Sequence, residues 1–202
     1  MDALESDTMA AMQTTSRKFN LGSGEFPKQG FVNLDYRDNV GADVVHDINA
    51  TPRLPFDDNS FDVVEADHVL EHINSPFSVI RELHRITANG GTISIRVPHF
   101  SRGFSHPEHE HGFDVSLPLY FNPAFKGGYE GVHLKLDSMR LTWFAQRYLK
   151  KITLSPLQYG FGVAMSTVID IFANISPYFC SRVWCFWVGG FEEVHYVFRV
   201  EK

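Results

Sequence analysis

Short apolar runs broken by turn-forming clusters cover residues 18–98. Lys18–Leu21 reads as a first strand and ends in Gly22-Ser23-Gly24-Glu25. Residues 31–34 read as a second strand closed by Asp35, and residues 43–46 as a short third. The turn Asp57-Asp58-Asn59-Ser60 leads into a fourth, residues 61–66. A helix follows over residues 76–87. Ser75 can cap it, Pro76 suits its first turn, and Val79, Ile80, Leu83 and Ile86 fall on one face. Asn89-Gly90-Gly91 stops it, and residues 92–97 form a fifth strand closed by Pro98. β-branched strands alternating with a helix predict a mostly parallel sheet with helices on both faces. One spacing resists this. Only nine residues separate Leu21 from Phe31, too few for an ordinary helical crossover. Either the first helix is reduced to a turn, or these two strands do not pair.

The pattern changes after Pro98. Residues 99–130 read as a long loop rich in His, Pro, Gly and Phe. Val132, Leu134 and Leu136 alternate, then Met139, Leu141 and Trp143 alternate in the other phase, which predicts two strands or one with a bulge. Residues 161–175 read as a helix and 192–200 as a last strand.

The length of 202 residues suits one α/β domain. Residues 1–16 read as a mobile tail and 17–202 as a single domain, with a first half to residue 100 and a second from 101. The net charge of -6 excludes a general attraction for nucleic acid. Cys180 and Cys185 cannot build a disulfide framework or a four-cysteine zinc site, and they suit a reducing, cytoplasmic setting. The acidic start is not a secretory signal, and no uncharged stretch reaches the roughly 18 residues of a transmembrane segment.

Gly22-Ser23-Gly24 at a strand end lets the backbone turn sharply and approach a ligand. Asp35, ending the next strand, can accept both hydroxyls of a ribose. Pro27 occupies the position of the third small residue of a dinucleotide fingerprint, so a nucleoside is favoured over a pyrophosphate. Asp47 can accept an adenine amine with Ile48 against the ring face, or it can cap a turn.

Five motifs occur in order: Asn20-Leu21-Gly22-Ser23-Gly24, Asn33-Leu34-Asp35, Leu54-Pro55-Phe56, Ser60-Phe61-Asp62-Val63-Val64 and His68-Val69-Leu70-Glu71-His72. Together they resemble class I S-adenosylmethionine-dependent methyltransferases of the type 11 branch, in the compact form found with polysaccharide and lipopolysaccharide assembly. The resemblance implies a Rossmann-like, mostly parallel sheet with an antiparallel C-terminal strand. It makes residues 17–100 the cofactor-binding half and 101–202 the acceptor half. It implies S-adenosylmethionine as cofactor, with Leu21, Gly22, Ser23 and Gly24 at the methionine part, Asp35 at the ribose, and Asp47 with Ile48 at the adenine. Asp67 and His68 would stand beside the methionine end. Asn20 replaces an acidic residue that many members carry.

His68, Glu71 and His72 also spell a zinc-hydrolase signature, but one that belongs inside a helix, and this copy begins at a strand end. The stretch is similar too to ubiquinone-pathway O-methyltransferases, which have E-x-x-E-H and use a divalent metal. His68 stands where their first carboxylate does and is a poorer ligand for a hard cation, so no metal is expected. Four of the ten histidines, His99, His106, His109 and His111, fall within thirteen residues. His99 and His109 are the candidate catalytic bases for methylation of a hydroxyl on a small molecule or glycan. The alternative is a methyltransferase-like module that binds the cofactor without transferring the methyl.

Residues 157–191 hold two charges, Asp170 and Arg182, among many aromatics. They fit a cap over the sheet, a homodimer surface, or a peripheral membrane contact. The scarcity of Lys and Arg favours the first two.

Overall fold

Seven strands hydrogen-bond into one sheet in a computed structural model that describes residues 17–103 and 106–202. They are β1 (Lys18–Leu21), β2 (Val32–Asp35), β3 (Val44–Val45), β4 (Phe61–Asp67), β5 (Thr87–Pro98), β6 (His133–Thr142) and β7 (Glu193–Glu201). Their order is β3-β2-β1-β4-β5-β7-β6. The first five run parallel, and β7 inserts antiparallel between β5 and β6. The tail expected at residues 1–16 lies outside the described residues.

Inward positions follow the two-residue period of the pleat. Phe19 and Leu21 on β1, Val64 and Ala66 on β4, and Ile93 and Ile95 on β5 are all buried. Helix α1 (Pro76–Ile86) covers them with Val79, Ile80, Leu83 and Ile86. It ends one residue earlier than its apolar face alone predicts. Thr87 is already strand, and β5 carries Asn89-Gly90-Gly91 inside it rather than after a break. The irregularity is taken up where β5 passes β4, as a register shift between Phe61 and Val63.

The short crossover resolves in favour of a turn without a helix, because β1 and β2 do pair in parallel. A side chain replaces the missing helix. Asn33, buried on β2, accepts from the Lys28 N–H at 2.8 Å and donates to the carbonyls of Lys28 and Phe31, each at 3.1 Å. Its carbonyl also accepts from the Asn20 amide at 3.0 Å. One amide thus satisfies the backbone polar groups that a helix would satisfy internally. Asn33→Leu is expected to lower the unfolding free energy by about 2–4 kcal/mol, as several buried groups lose partners together. Urea titration would check this.

In the second half, a short helix α2 (Phe100–Gly103) follows β5. The single strand β6 spans both alternating phases, with its register shift between Leu136 and Ser138 where the phase flips. Helix α3 (Arg147–Thr153) and helix α4 (Pro156–Ile175) then return the chain towards β7. Ser155 and Gln158 close a reciprocal capping box at the start of α4. Among the described residues, no single helix is long and apolar enough to cross a membrane.

Candidate cofactor and acceptor site

The strand ends of β1, β2, β3 and β4 open onto a cavity of about 480 Å³, the smaller of two that meet at this edge of the sheet. Leu21, Gly22, Gly24, Asp35, Asp47, Ile48 and His68 all line the 480 Å³ volume. Gly22 has φ +65°, and a Cβ there would lie 2.3 Å from a Val69 methyl, so the turn accepts no side chain. Asp35 is 5% exposed. Its Oδ2 accepts from the Gly24 N–H at 2.8 Å, and its Oδ1 accepts from the Arg37 N–H at 3.0 Å and from Arg37 Nε at 3.3 Å. The carboxylate holds the glycine turn against β2 and keeps lone-pair capacity towards the cavity. Asp47 Oδ1 accepts from the N–H groups of Asn49 and Ala50, which is a turn cap, while the residue still faces the cavity.

Two expected contacts point elsewhere. Ser23 is buried, its N–H given to the Leu34 carbonyl, and it is not among the lining residues. Asp67 is turned into an ion network, 2.8 Å from Lys28 Nζ and 3.1 Å from Arg96. Alternation along β4 puts Glu65 and Asp67 on one side, and Lys28 bridges both.

His68 follows β4 with φ +55°. Its Nδ1 lies 3.3 Å from Glu71 and its Nε2 3.1 Å from Glu193. Burial opposes its charged form, but the bonds to Glu193 and Glu71 outweigh burial and raise its pKa to about 9. His68 is therefore an imidazolium fixed between two carboxylates at neutral pH. Glu71 is fully buried, and its second oxygen has no partner among the described residues.

His68 and His72 also line the second cavity, of about 890 Å³, together with Glu71, His106, His109, Arg102, Gln146 and Lys150. His72 Nδ1 lies 3.1 Å from the Glu108 carbonyl, which makes Nδ1 the donor and leaves Nε2 as the acceptor nitrogen. The His72 and His109 rings are 4.9 Å apart, and His106 stacks on His109 at the same spacing. Glu71, His72 and His109 offer ligand atoms within 4.8 Å of one another, a set able to hold a divalent cation.

His99 does not join them. It is wholly buried, with Nδ1 2.8 Å from Ser101 Oγ and Nε2 3.2 Å from Ser181 Oγ. Burial lowers its pKa to about 4. With both nitrogens bonded and no face on either cavity, it is a core histidine and not a base for an incoming acceptor. Its burial has a stability consequence. Below about pH 6.5 the unfolded chain takes up a proton that folded His99 refuses, so stability falls as pH drops towards about 4, by about 3 kcal/mol in all. His68 acts oppositely: its contribution is full below about 6.5 and is lost as pH rises through about 9. Urea midpoints should therefore fall on either side of about pH 6.5, and His99→Gln should flatten the acid slope, leaving the smaller part due to His84 and His195, whose pKa values burial also lowers.

Arg37, Val69, Glu71 and Glu193 complete the site without having been singled out as contacts. Glu71 stood within a motif, but Glu193 lies 125 residues from His68 and no local pattern joins them.

The strand order and the cavity at the carboxyl ends of the parallel strands define the class I methyltransferase fold. Residues 22–95 match the family model described as a methyltransferase domain. A segment of 60 residues is 37% identical to an uncharacterized methyltransferase of Schizosaccharomyces pombe, covering 29% of this chain and 22% of that protein. The chain thus spans about a fifth of the length of the curated relative it matches. Among solved structures, a SAM-dependent methyltransferase from Archaeoglobus fulgidus aligns with TM-score 0.56 at 13% identity, over 98% of this chain and 91% of its own. A putative methyltransferase from Bacillus halodurans aligns with TM-score 0.55 at 13% identity, over 100% and 99%. The chain therefore has the class I methyltransferase fold, and its residues 22–95, which carry the cofactor-side strand ends, match a methyltransferase domain. The Gly22 cradle, which a Cβ would fill, and the Asp35 carboxylate beside it fit S-adenosylmethionine.

Proposed function

We propose that this chain transfers a methyl group from S-adenosylmethionine to a hydroxyl of a small molecule or glycan. The observation that carries the proposal is the meeting of two cavities at His68 and His72, with Glu71 and His109 on the acceptor side. S-adenosylmethionine supplies an electrophilic methyl on a sulfonium that leaves as a neutral thioether. Leu21, Gly22 and Gly24 hold the methionine part, Asp35 the ribose, and Asp47 with Ile48 the adenine. The larger cavity would hold an acceptor oxygen in line with that methyl, so that a C–O bond would replace the C–S bond. The acceptor's proton passes to His109, which replaces His99 as the base in this reading. The fixed His68 imidazolium holds Glu71 in place and orders the wall between the two cavities.

Transfer is proposed to proceed without a metal. The Glu71, His72 and His109 set has suitable ligand types, but His68 already places a positive charge against Glu71. A divalent cation there would be repelled by that imidazolium. EDTA is expected to leave the rate unchanged, and loss restored by magnesium or zinc would overturn the metal-free reading. The reaction itself is tested with isotopically labelled S-adenosylmethionine and extracts of small molecules and glycans. Mass spectrometry should find the label on an acceptor oxygen, with S-adenosylhomocysteine released in equal amount. Stoichiometric cofactor binding without release from any extract would favour the non-catalytic module instead.

A further inference from the structure

Helix α4 is inside out for a helix that faces water. Its buried positions are Gly162, Ser166, Ile169, Asp170 and Ala173, four of them small or polar. Its outward positions include Leu157, Phe161, Val168, Ile171, Phe172 and Ile175, each more than half exposed, with Leu157 at 84% and Ile175 at 75%. A helix seated on a soluble core places its large apolar residues inward. Here small residues let the helix sit close to the body, and bulky ones are presented outward over 20 residues, a length of about 30 Å. The chain then breaks by 106° into the segment 177–188, which adds Phe179, Phe186 and Trp187 to the exposed set, Trp187 at 82%.

Charge is arranged to match. Between Lys151 and Arg182 the only Asp, Glu, Lys, Arg or His is Asp170, and it is buried, accepting from Ser166 Oγ and the Trp143 N–H. Arg147 and Lys151, both exposed, stand on α3 just ahead of α4. Ile152, on the same short helix, is 82% exposed. The result is an uncharged apolar face with cations at its edge, in a chain whose net charge is -6. A partner protein surface usually supplies and receives about one hydrogen bond per 100–200 Å². The outward face of α4 offers little beyond Gln158 and Thr167 for that purpose. Apolar bulk, absent charge and a cationic border match the interfacial layer of a bilayer.

We propose that α4 and the segment 177–188 lie in the surface of an anionic phospholipid bilayer, apolar side down, with Arg147 and Lys151 at the headgroups. Gln146, Leu149 and Lys150 of the adjoining α3 region line the larger cavity, so docking would hold its wall next to the membrane. If the methyl-transfer reading holds, on which this last step rests, the acceptor is itself carried at a membrane surface.

The test is sedimentation of the full chain with vesicles of equal parts phosphatidylcholine and phosphatidylglycerol, and with phosphatidylcholine alone. Binding is expected with the first and should weaken as salt rises. Lys151→Gln should lower the partition coefficient about fivefold. Phe172→Glu should lower it roughly tenfold or more, and Trp187→Glu does the same on the second segment in case the α4 variant misfolds. S-adenosylmethionine affinity, read by calorimetry, should stay unchanged in all three variants. Failure to bind the cofactor would strike the methyl-transfer reading and leave vesicle binding to be judged separately. A chain that stays in solution with both vesicle types overturns the proposal. So does a stable homodimer that Phe172→Glu dissociates, since a second copy would then cover the face.

Discussion

Asp35→Ala is expected to weaken S-adenosylmethionine binding by roughly tenfold to a hundredfold while the domain stays folded. Two effects add. The ribose loses a charge-assisted acceptor, typically worth about 1.5–3 kcal/mol. The glycine turn loses its clamp as well, because the same carboxylate holds the Gly24 N–H and Arg37. Asp35→Asn separates these, since the amide keeps one carbonyl oxygen for the turn but loses the charge. Its affinity should fall between those of the native chain and the alanine variant. Calorimetry giving native affinity for a folded Asp35→Ala would remove Asp35 from the cofactor site.

The position of Asp35 was legible because it follows from local pattern: a strand, a glycine turn, and a second strand ending in a carboxylate. The same holds for α1, whose four apolar positions fall on one helical stripe and are buried as that stripe requires. It holds in part for β6, where the flip in alternation fits two strands or one with a bulge and the pairing shows one strand with a register shift between Leu136 and Ser138. Features made by distant partners were not legible. Asn33 stood in a recognised motif, yet its part in replacing a helix depends on backbone groups of Lys28 and Phe31 that are brought round by the turn. Asp67 is next to a site residue in sequence, but the pleat and two cations turn it away.

Helix α3 escaped for a different reason. It buries no residue, so its sequence carries no apolar period to read. The apolar run predicts α4 only from residue 161, five residues late, although Ser155-Pro156 followed by Gln158 is a capping signature that marks its start. Its apolar content suggested a cap or a dimer face because buried surroundings are the usual destination of such residues. Only the fold reveals that the small residues face in and the large ones face out. His99 shows the same limit. A position directly after a core strand is firmly held, and here it is held inside the core, against Ser101 and Ser181.

His109→Gln is expected to lower the methylation rate by roughly 10²–10⁴-fold, the usual contribution of a positioned base, with cofactor affinity nearly constant. The split follows from geometry. His109 lines the larger cavity and not the smaller one, so removing its imidazole acts first on the acceptor side and reaches the cofactor side only through its ring contact with His72. His99→Gln is the companion measurement, since its ring faces Ser101 and Ser181 and neither cavity. It should change the stability profile while leaving the methylation rate in place. Full activity of His109→Gln would end its role as base. Acceptor positioning and the sulfonium leaving group would then carry the transfer, with Glu71 and His72 acting on the cavity wall.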